Sequence, residues 1–201
     1  PWTVAAYMVE GRGSRDFEAA KTWAYRAPEE FDRLIAILID ATSEYLLAQI
    51  AAGADAVQIF DSWSGVLPDG AFERWCTRPV AEIIRRLKAV APQVPVIAFP
   101  RGAGLRYAGF AKTTRADAVS LDTTVPRVWA RTNLAGDSAL QGNLDPVHLV
   151  VGGETLEREI LRVLDDLGAG PLVFNLGHGV LPPTQPENVA RLSETLRKWR
   201  R

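Results

Sequence analysis

Apolar side chains recur at the 3.6-residue spacing of an α-helix in four segments of the chain. The first segment begins at Pro28, because proline suits the first helical turn and the acidic Glu29 and Glu30 suit the positive end of the helix dipole. It is predicted to end at Gly53. Three further helices with the same pattern are predicted, from Pro79, from about Glu154 to Gly168, and from Pro186.

Short apolar runs between these helices predict five β-strands. Each run is bounded by Gly, Pro or Asp and is too short for a helix, which is typical of a strand buried on both faces. The runs are residues 56–60, 94–99, 118–121, 138–141 and 172–176. Strands that alternate with helices indicate parallel βαβ units. Because no linker or internal repeat divides the chain, we predict one α/β domain over residues 1–201.

Every predicted strand runs into a polar or glycine-rich segment. Asp61 and Ser62 follow the first strand, and Asn175 leads to His178 at the end of the last. A parallel barrel or open sheet places its active site at these carboxyl ends. A doubly wound nucleotide-binding sheet would show the same alternation, but the glycine loop at residues 100–104 lacks the Gly-x-Gly-x-x-Gly spacing.

Composition narrows the class of protein further. Of 201 residues, 47% are hydrophobic, and the formal net charge of −1 argues against a nucleic-acid partner, which would favour a strongly basic face. No run approaches the roughly 18 uninterrupted apolar residues of a membrane span. A single cysteine, Cys76, suits a reducing compartment and, with two histidines, leaves too few ligands for most structural zinc sites. The absence of a charged-then-apolar leader argues against secretion, and a first residue that is Pro1 instead of Met raises the question of a missing beginning.

His178 is the strongest candidate for chemistry in the sequence. It lies between two glycines just past the last strand, where it could donate a hydrogen bond to an anionic substrate or move a proton near neutral pH. The alternative is a histidine that satisfies a loop carbonyl. His148 lies in an apolar segment and is interpreted as a helix-surface or packing residue.

The other polar candidates have structural alternatives that we prefer or leave open. Three aspartates at strand ends are interpreted as capping or loop-ordering groups; they are Asp61, Asp122 and Asp145. Gln141 and Asn143 present amides either to a ligand or to loop backbone.

Two arginines lie beside glycines, Arg12 and Arg101. A guanidinium can bind a carboxylate through two parallel hydrogen bonds, although a solvated surface role is preferred for both residues. The glycine-rich segment 11–14 offers N–H donors to an anion, and four aromatic residues are interpreted as packing residues: Trp63, Phe72, Trp75 and Trp129.

Taken together, the polar loops resemble the uroporphyrinogen decarboxylase family. The resemblance covers essentially the whole chain, and its motifs stand in the family's order. They are Pro1-Trp-Thr, Tyr7-Met-Val-Glu-Gly11, Phe60-Asp-Ser62, Gln141-Gly-Asn-Leu-Asp-Pro146, and Asn175-Leu-Gly-His-Gly179 with Pro182 soon after. Each short motif is unspecific alone, but the combination is highly specific.

The resemblance implies a (β/α)₈ TIM barrel, of which this chain holds about five of the eight strands. It also implies a cytoplasmic, commonly homodimeric enzyme that takes uroporphyrinogen III to coproporphyrinogen III by removing four acetate carboxyls, with no cofactor and no metal. By the same resemblance Tyr7, Ser62 and His178 would contact substrate carboxylates or the macrocycle, and Phe60 would be an apolar wall of the pocket.

Two motifs of the family are missing from the sequence. The Arg-Gln-Ala-Gly-Arg motif and the aspartate of Phe-Ser-Asp would both precede Pro1, so no catalytic residue is assigned within this chain. We therefore expect the chain to be the C-terminal part of the enzyme. An alternative is a catalytically inert product that binds porphyrinogen weakly, with two open sheet edges and a tendency to aggregate. A corrinoid methyltransferase, which has the same superfamily fold, is disfavoured because its thiolate and histidine zinc ligands are lacking.

Overall fold

A computed structural model describes residues 1–11 and 14–199 of the chain. The chain folds into two compact units, residues 1–119 and residues 120–201. The strand β3 (Ala118–Ser120) lies at the boundary between them. Each unit has its own set of parallel strands and its own covering helices.

The first unit begins with three helices and continues as an alternation of strands and helices. Its elements are α1 (Trp2–Glu10), α2 (Glu18–Arg26), α3 (Pro28–Ala51), β1 (Val57–Asp61), α4 (Asp69–Phe72), α5 (Arg78–Val90), β2 (Val96–Pro100), α6 (Tyr107–Thr114) and the start of β3. The strands pair in parallel in chain order. Val57 to Asp61 are opposite Val96 to Pro100, and Ile97 and Ala98 are opposite Ala118 and Val119.

The second unit continues the same alternation. Its elements after β3 are α7 (Arg127–Leu134), β4 (Ala139–Leu144), α8 (Val147–Val151), α9 (Gly153–Leu167), β5 (Leu172–Leu176) and α10 (Pro186–Lys198). Leu140 to Leu144 of β4 are opposite Leu172 to Leu176 of β5 in a parallel register. The backbone N–H of Leu121, just past β3, donates to the carbonyl of Gln141 at 2.8 Å, which joins that segment to β4.

The predicted elements are largely confirmed. All four predicted helices form, and α3 starts at Pro28 as expected. All five strands form and are parallel, so the α/β class is confirmed. Helices α6 and α7 were not predicted, because eight residues show only about two turns of the apolar repeat. Helix α1, which carries Tyr7, and helix α2 were not predicted either.

Burial on both faces is a correct expectation for β2, β3 and β4 but not for β1 and β5. In β5 the residues alternate between half-buried and exposed, and Val173 is 45% exposed. Within the described residues β5 pairs only with β4, and α10 buries no residue fully, so little covers that strand. Phe60 in β1 is 60% exposed, and its ring lies 6.2 Å from that of Phe99 and nearly perpendicular to it.

An aromatic cluster forms the core of the first unit. The ring of Phe31 on α3 lies 5.8 Å from Trp2, 5.4 Å from Trp23 and 5.4 Å from Trp75. Burial of Trp75 among these rings confirms its role in packing, and its indole N–H also donates to Asp32 at 2.9 Å. The neighbouring Arg74 guanidinium holds the pKa of the Asp32 carboxyl below its ordinary value. These contacts fix α1, α2 and α3 relative to one another.

Among the described helices, α3 is long and apolar enough, by length and composition only, to cross a membrane. Its buried face carries Phe31, Ile35 and Leu38, while Ile37 and Tyr45 on the other face are more than 60% exposed. It is ion-paired to α5 through Asp40 and Arg86. A packed amphipathic helix of a layered fold passes the same length test, so this observation is weak evidence for a membrane role.

Acid stability is expected to depend measurably on Glu82 of α5. Hydrogen bonds from Arg85 at 2.7 Å and Arg86 at 2.8 Å lower the pKa of Glu82 from its ordinary 4.5 to about 2. Because the folded pKa is depressed, this contribution is present above pH 4.5 and is lost as the pH falls toward 2. For the partly exposed pair we expect Glu82→Gln to cost ~1 kcal/mol or less at pH 7.

Urea unfolding between pH 7 and pH 2.5 measures this effect. The difference between the parent protein and Glu82→Gln should shrink as the pH falls through that window. Glu44→Gln on the exposed face of α3 is the matched control and should leave the pH profile unchanged. A difference for Glu82→Gln that stays constant down to pH 2.5 would show that the two arginines do not hold this carboxylate.

Candidate functional site

Asp61 fixes helix α1 to the carboxyl end of β1. This carboxylate is almost fully buried, and its Oδ1 accepts hydrogen bonds from the backbone N–H of Thr3 at 2.9 Å and from the Thr3 hydroxyl at 2.6 Å. The Thr3 hydroxyl in turn accepts the backbone N–H of Trp63 at 3.0 Å. Asp61 is therefore a loop-ordering group, which confirms the structural interpretation of this residue.

Tyr7 and Ser62 lie on the two segments that Asp61 joins. Tyr7 lies in the last turns of α1 and is 51% exposed, and its phenol oxygen accepts the indole N–H of Trp63 at 2.6 Å. Ser62 is half-buried in the loop after β1, directly before Trp63. The structure thus brings the tyrosine of one predicted motif next to the loop that carries the serine of another.

The loop after β1 is also fastened to the loop after β2. The backbone N–H of Gly65 donates to the Arg101 carbonyl at 3.0 Å, and the Ser64 hydroxyl donates to the same oxygen at 3.3 Å. A Cβ on Gly65 would lie 2.7 Å from the Gly102 backbone, so only glycine allows this approach. Arg101, which was expected to be solvated, is half-buried with its guanidinium 5.6 Å above the Trp63 ring.

His178 lies in the second unit, in the loop that follows β5, and its side chain is exposed. The preceding Gly177 donates its backbone N–H to the Leu144 carbonyl at 2.8 Å, which holds this loop at the carboxyl end of β4. A Cβ on Gly177 would lie 2.6 Å from the backbone nitrogen and Cγ2 of Thr123. The exposed position agrees with a ligand-contacting role, and whether His178 acts together with Tyr7 and Ser62 stays a prediction.

Substitution of Gly177 by alanine is expected to displace the His178 loop. The new methyl group would overlap Thr123, and relieving that overlap should cost about 1–3 kcal/mol of unfolding free energy. Gly179→Ala is the matched control, because a Cβ there meets nothing within 4 Å. Thermal and urea unfolding of both variants measure the difference. Equal stability of Gly177→Ala and Gly179→Ala would contradict the close approach of the two loops.

At the end of β4 the amides of Gln141 and Asn143 satisfy protein groups. Asn143 is buried and donates its amide to the carbonyls of Asp122 at 2.9 Å and Val125 at 3.0 Å. The Gln141 amide donates to the Ser120 hydroxyl at 3.0 Å. Of the two alternatives left open by the sequence, the structure favours loop ordering for Asn143, whereas the acceptor of the Gln141 amide is a side-chain hydroxyl of β3.

The remaining polar candidates also serve local structure. The carboxylate of Asp122 accepts the backbone N–H of Thr124 at 2.9 Å, and that of Asp145 accepts the N–H of Val147 at 2.9 Å. Both are turn-ordering groups, as expected. His148 is half-buried on α8, which confirms its interpretation as a helix residue with a packing role. Arg12 lies outside the residues that the structure describes.

Arg127 is a strongly interacting residue that sequence reasoning missed. Its guanidinium donates to Glu159 at 2.6 Å, to Asp166 at 3.3 Å and, through Nε, to Asn143 at 3.0 Å. Burial opposes ionisation of Glu159, but the hydrogen bond and charge of Arg127 outweigh it and hold the pKa of Glu159 below its ordinary value. The only sequence signal was the seven-residue spacing of Glu159 and Asp166, which places both on one face of α9.

The described part of the chain contains no candidate metal site. Within it, no group of three or more His, Cys, Asp or Glu side chains is placed to hold an ion. Cys76 is buried, and burial raises the pKa of its thiol well above the ordinary value, so the thiolate that a metal prefers is disfavoured.

Comparison with known proteins identifies the family. A sequence model described as "Uroporphyrinogen decarboxylase (URO-D)" matches residues 1–199. The chain belongs to the uroporphyrinogen decarboxylase family. It is 52% identical over 197 residues to the uroporphyrinogen decarboxylase of Rhodospirillum rubrum, which covers 98% of this chain and 57% of that protein. The corresponding proteins of Brucella anthropi and Brucella canis are each 50% identical over 197 residues, 98% of this chain and 58% of their own length.

These matches bear on the fold and on how much of the family's length the chain covers. The resemblance recognised from the motifs is confirmed, and the five parallel strands agree with part of the (β/α)₈ barrel of this family. The chain spans less than three fifths of the length of the curated relatives it matches.

Proposed function

We propose that the chain is the C-terminal part of a uroporphyrinogen decarboxylase, which takes uroporphyrinogen III to coproporphyrinogen III by removing four acetate carboxyls as CO₂. The observation that carries this proposal is the family match over residues 1–199, supported by about 50% identity to curated decarboxylases. The 57% coverage of those relatives is the reason for assigning the missing barrel strands to a longer protein.

The proposed chemistry uses the pyrrole ring of the substrate as its own electron sink. Protonation of the electron-rich ring allows the bond between the acetate methylene and its carboxylate to break, and the electron pair of that bond flows into the ring as CO₂ leaves. Protonation of the methylene carbon and return of the ring proton then give a methyl group. Each acetate therefore consumes one proton net and needs no external electron acceptor.

The groups in this chain would bind and orient the substrate. Tyr7 and Ser62 offer hydroxyl donors and His178 an imidazole donor, and carboxylates accept such hydrogen bonds strongly. The exposed ring of Phe60 is in accord with an apolar wall. The arginines that pair with most of the substrate's carboxylates, and the aspartate that would stabilise positive charge on the ring, are assigned to the region before Pro1.

The proposal extends to partners and location. A near-neutral net charge of −1, with a sequence pI of about 6.2, supports the proposal that neither nucleic acid nor a membrane surface is a partner. The single cysteine suits the cytoplasm. We assign residues 1–201 to one barrel domain of a homodimeric enzyme that works without cofactor or metal.

Turnover of uroporphyrinogen III by the longer protein tests the function. Incubation without oxygen, followed by oxidation and chromatographic separation of the porphyrins by carboxyl number, should show loss of the eight-carboxyl species and growth of the four-carboxyl product. Four molecules of CO₂ should be released per substrate. Unchanged substrate at high enzyme concentration would contradict the proposal.

The competing interpretation is a genuine but inert product of 201 residues. The intact mass of the native polypeptide distinguishes the two, because the described sequence alone accounts for 22.0 kDa. A larger mass, or an upstream reading frame that encodes the arginine motif and the Phe-Ser-Asp motif, would support the enzyme. A native mass of 22.0 kDa would support the inert product.

A further inference from the structure

We infer that Trp63 is a positioning residue, whose indole N–H holds the phenol of Tyr7 so that the Tyr7 hydroxyl donates to a carboxylate of the substrate. The inference rests on the proposed function, because it assigns a role in binding that substrate. It starts from the contact of 2.6 Å between Trp63 Nε1 and the Tyr7 phenol oxygen. The sequence indicated only a packing role for Trp63.

The chemistry of the indole and the phenol decides which of them donates in this hydrogen bond. The indole N–H can only donate, so the phenol oxygen of Tyr7 must accept. The hydroxyl proton of Tyr7 then points away from the indole. An ionised carboxylate is an acceptor only, and it is the complementary partner for that proton. Because the Trp63 indole N–H occupies the phenol oxygen as an acceptor, the Tyr7 hydroxyl proton is directed to the substrate.

The indole is held more firmly than the phenol. The backbone N–H of Trp63 donates to Thr3, and its carbonyl accepts the indole N–H of Trp2 at 3.1 Å. The ring packs against Phe17 at 5.2 Å and lies under the Arg101 guanidinium. Tyr7, by contrast, is about half exposed on the surface of α1. The fixed indole therefore restricts the exposed phenol, and less rotamer entropy is lost when substrate binds.

Trp63→Phe in the longer protein isolates this N–H. Phenylalanine keeps an aromatic ring for Phe17 and Arg101 but removes the donor. We expect kcat/KM for uroporphyrinogen III to fall about 5- to 10-fold, the usual size of one hydrogen bond. In a Tyr7→Phe background the same substitution should have no further effect, because the two residues act as one unit. Trp129→Phe on α7 is the control and should keep the kcat/KM of the parent protein.

An NMR measurement tests the contact without relying on activity. In the longer protein labelled with ¹⁵N, Trp63→Phe identifies the indole N–H signal that is lost. That signal should move upfield in Tyr7→Phe, since its acceptor is gone, and it should stay in place in Trp129→Phe. A signal that does not move in Tyr7→Phe overturns the inference even if decarboxylation is normal. Additive losses in the double variant overturn it as well, whereas absence of turnover in the parent protein overturns the proposed function.

Discussion

Replacement of His178 by alanine in the longer protein is expected to lower kcat/KM for uroporphyrinogen III by about 100-fold. The imidazole is exposed in the loop after β5, and a hydrogen bond to a charged group is typically worth about 1.5–3 kcal/mol, a factor of about 10–150. Tyr7→Phe should have a loss of about 10- to 100-fold, and Ser62→Ala a milder one, because its half-buried hydroxyl is the weakest of the three donors. Porphyrin chromatography after timed incubation measures all three.

The other histidine of the chain is the matched control for this experiment. His148 lies half-buried on α8, so His148→Gln should retain parental turnover once folding is verified. Unchanged turnover in His178→Ala, Tyr7→Phe and Ser62→Ala alike would remove the site assignment. Because the family membership rests on residues 1–199 as a whole, it would stand in that case.

Replacement of Arg127 by methionine is expected to have the largest effect on stability. The substitution leaves Glu159, Asp166 and the side-chain amide oxygen of Asn143 without their shared donor. Breaking a largely buried ion pair by removing one partner costs about 3–5 kcal/mol, and we expect ~3 kcal/mol here because Asp166 keeps some solvent contact. The midpoint of urea unfolding at pH 7 measures the loss.

Arg162→Met is a close control, because Arg162 pairs with the same Glu159 at 3.4 Å but is itself exposed. It should cost less than ~1 kcal/mol. The pKa of Glu159 is held low in the parent, so the stability that Arg127 supplies is present at neutral pH and lost on acidification. The difference between parent and Arg127→Met should therefore shrink at low pH. Equal midpoints for the two arginine variants would contradict the network.

The main helices and the strands could be predicted because the sequence patterns that mark them are local. Pro28 and Gly53 delimit α3, and the short apolar runs between turn residues mark the strands. The turn-ordering roles of Asp61, Asp122 and Asp145 followed from their positions at strand ends. Such features depend on neighbours in sequence, which a single chain displays directly.

Contacts between distant segments were not predictable from the sequence. The hydrogen bond between Tyr7 and Trp63 joins residues 56 positions apart, and the pair of Arg127 and Glu159 joins residues 32 apart. Nothing in the periodicity of α1 or α7 shows which partner the fold supplies. The exposed face of β5 was missed for a related reason, since burial of a strand depends on what covers it. The site residues Tyr7, Ser62 and His178 came from the family resemblance and not from pattern.

We propose that these 201 residues supply part of a decarboxylase site whose remaining groups lie in the strands that precede them. A side-by-side assay of the isolated 201-residue chain and of the longer protein, each with uroporphyrinogen III at equal concentration, tests it most directly. We predict that coproporphyrinogen forms only with the longer protein. Coproporphyrinogen formation by the isolated chain at a comparable rate would contradict the claim, and so would a longer protein that leaves the substrate unchanged.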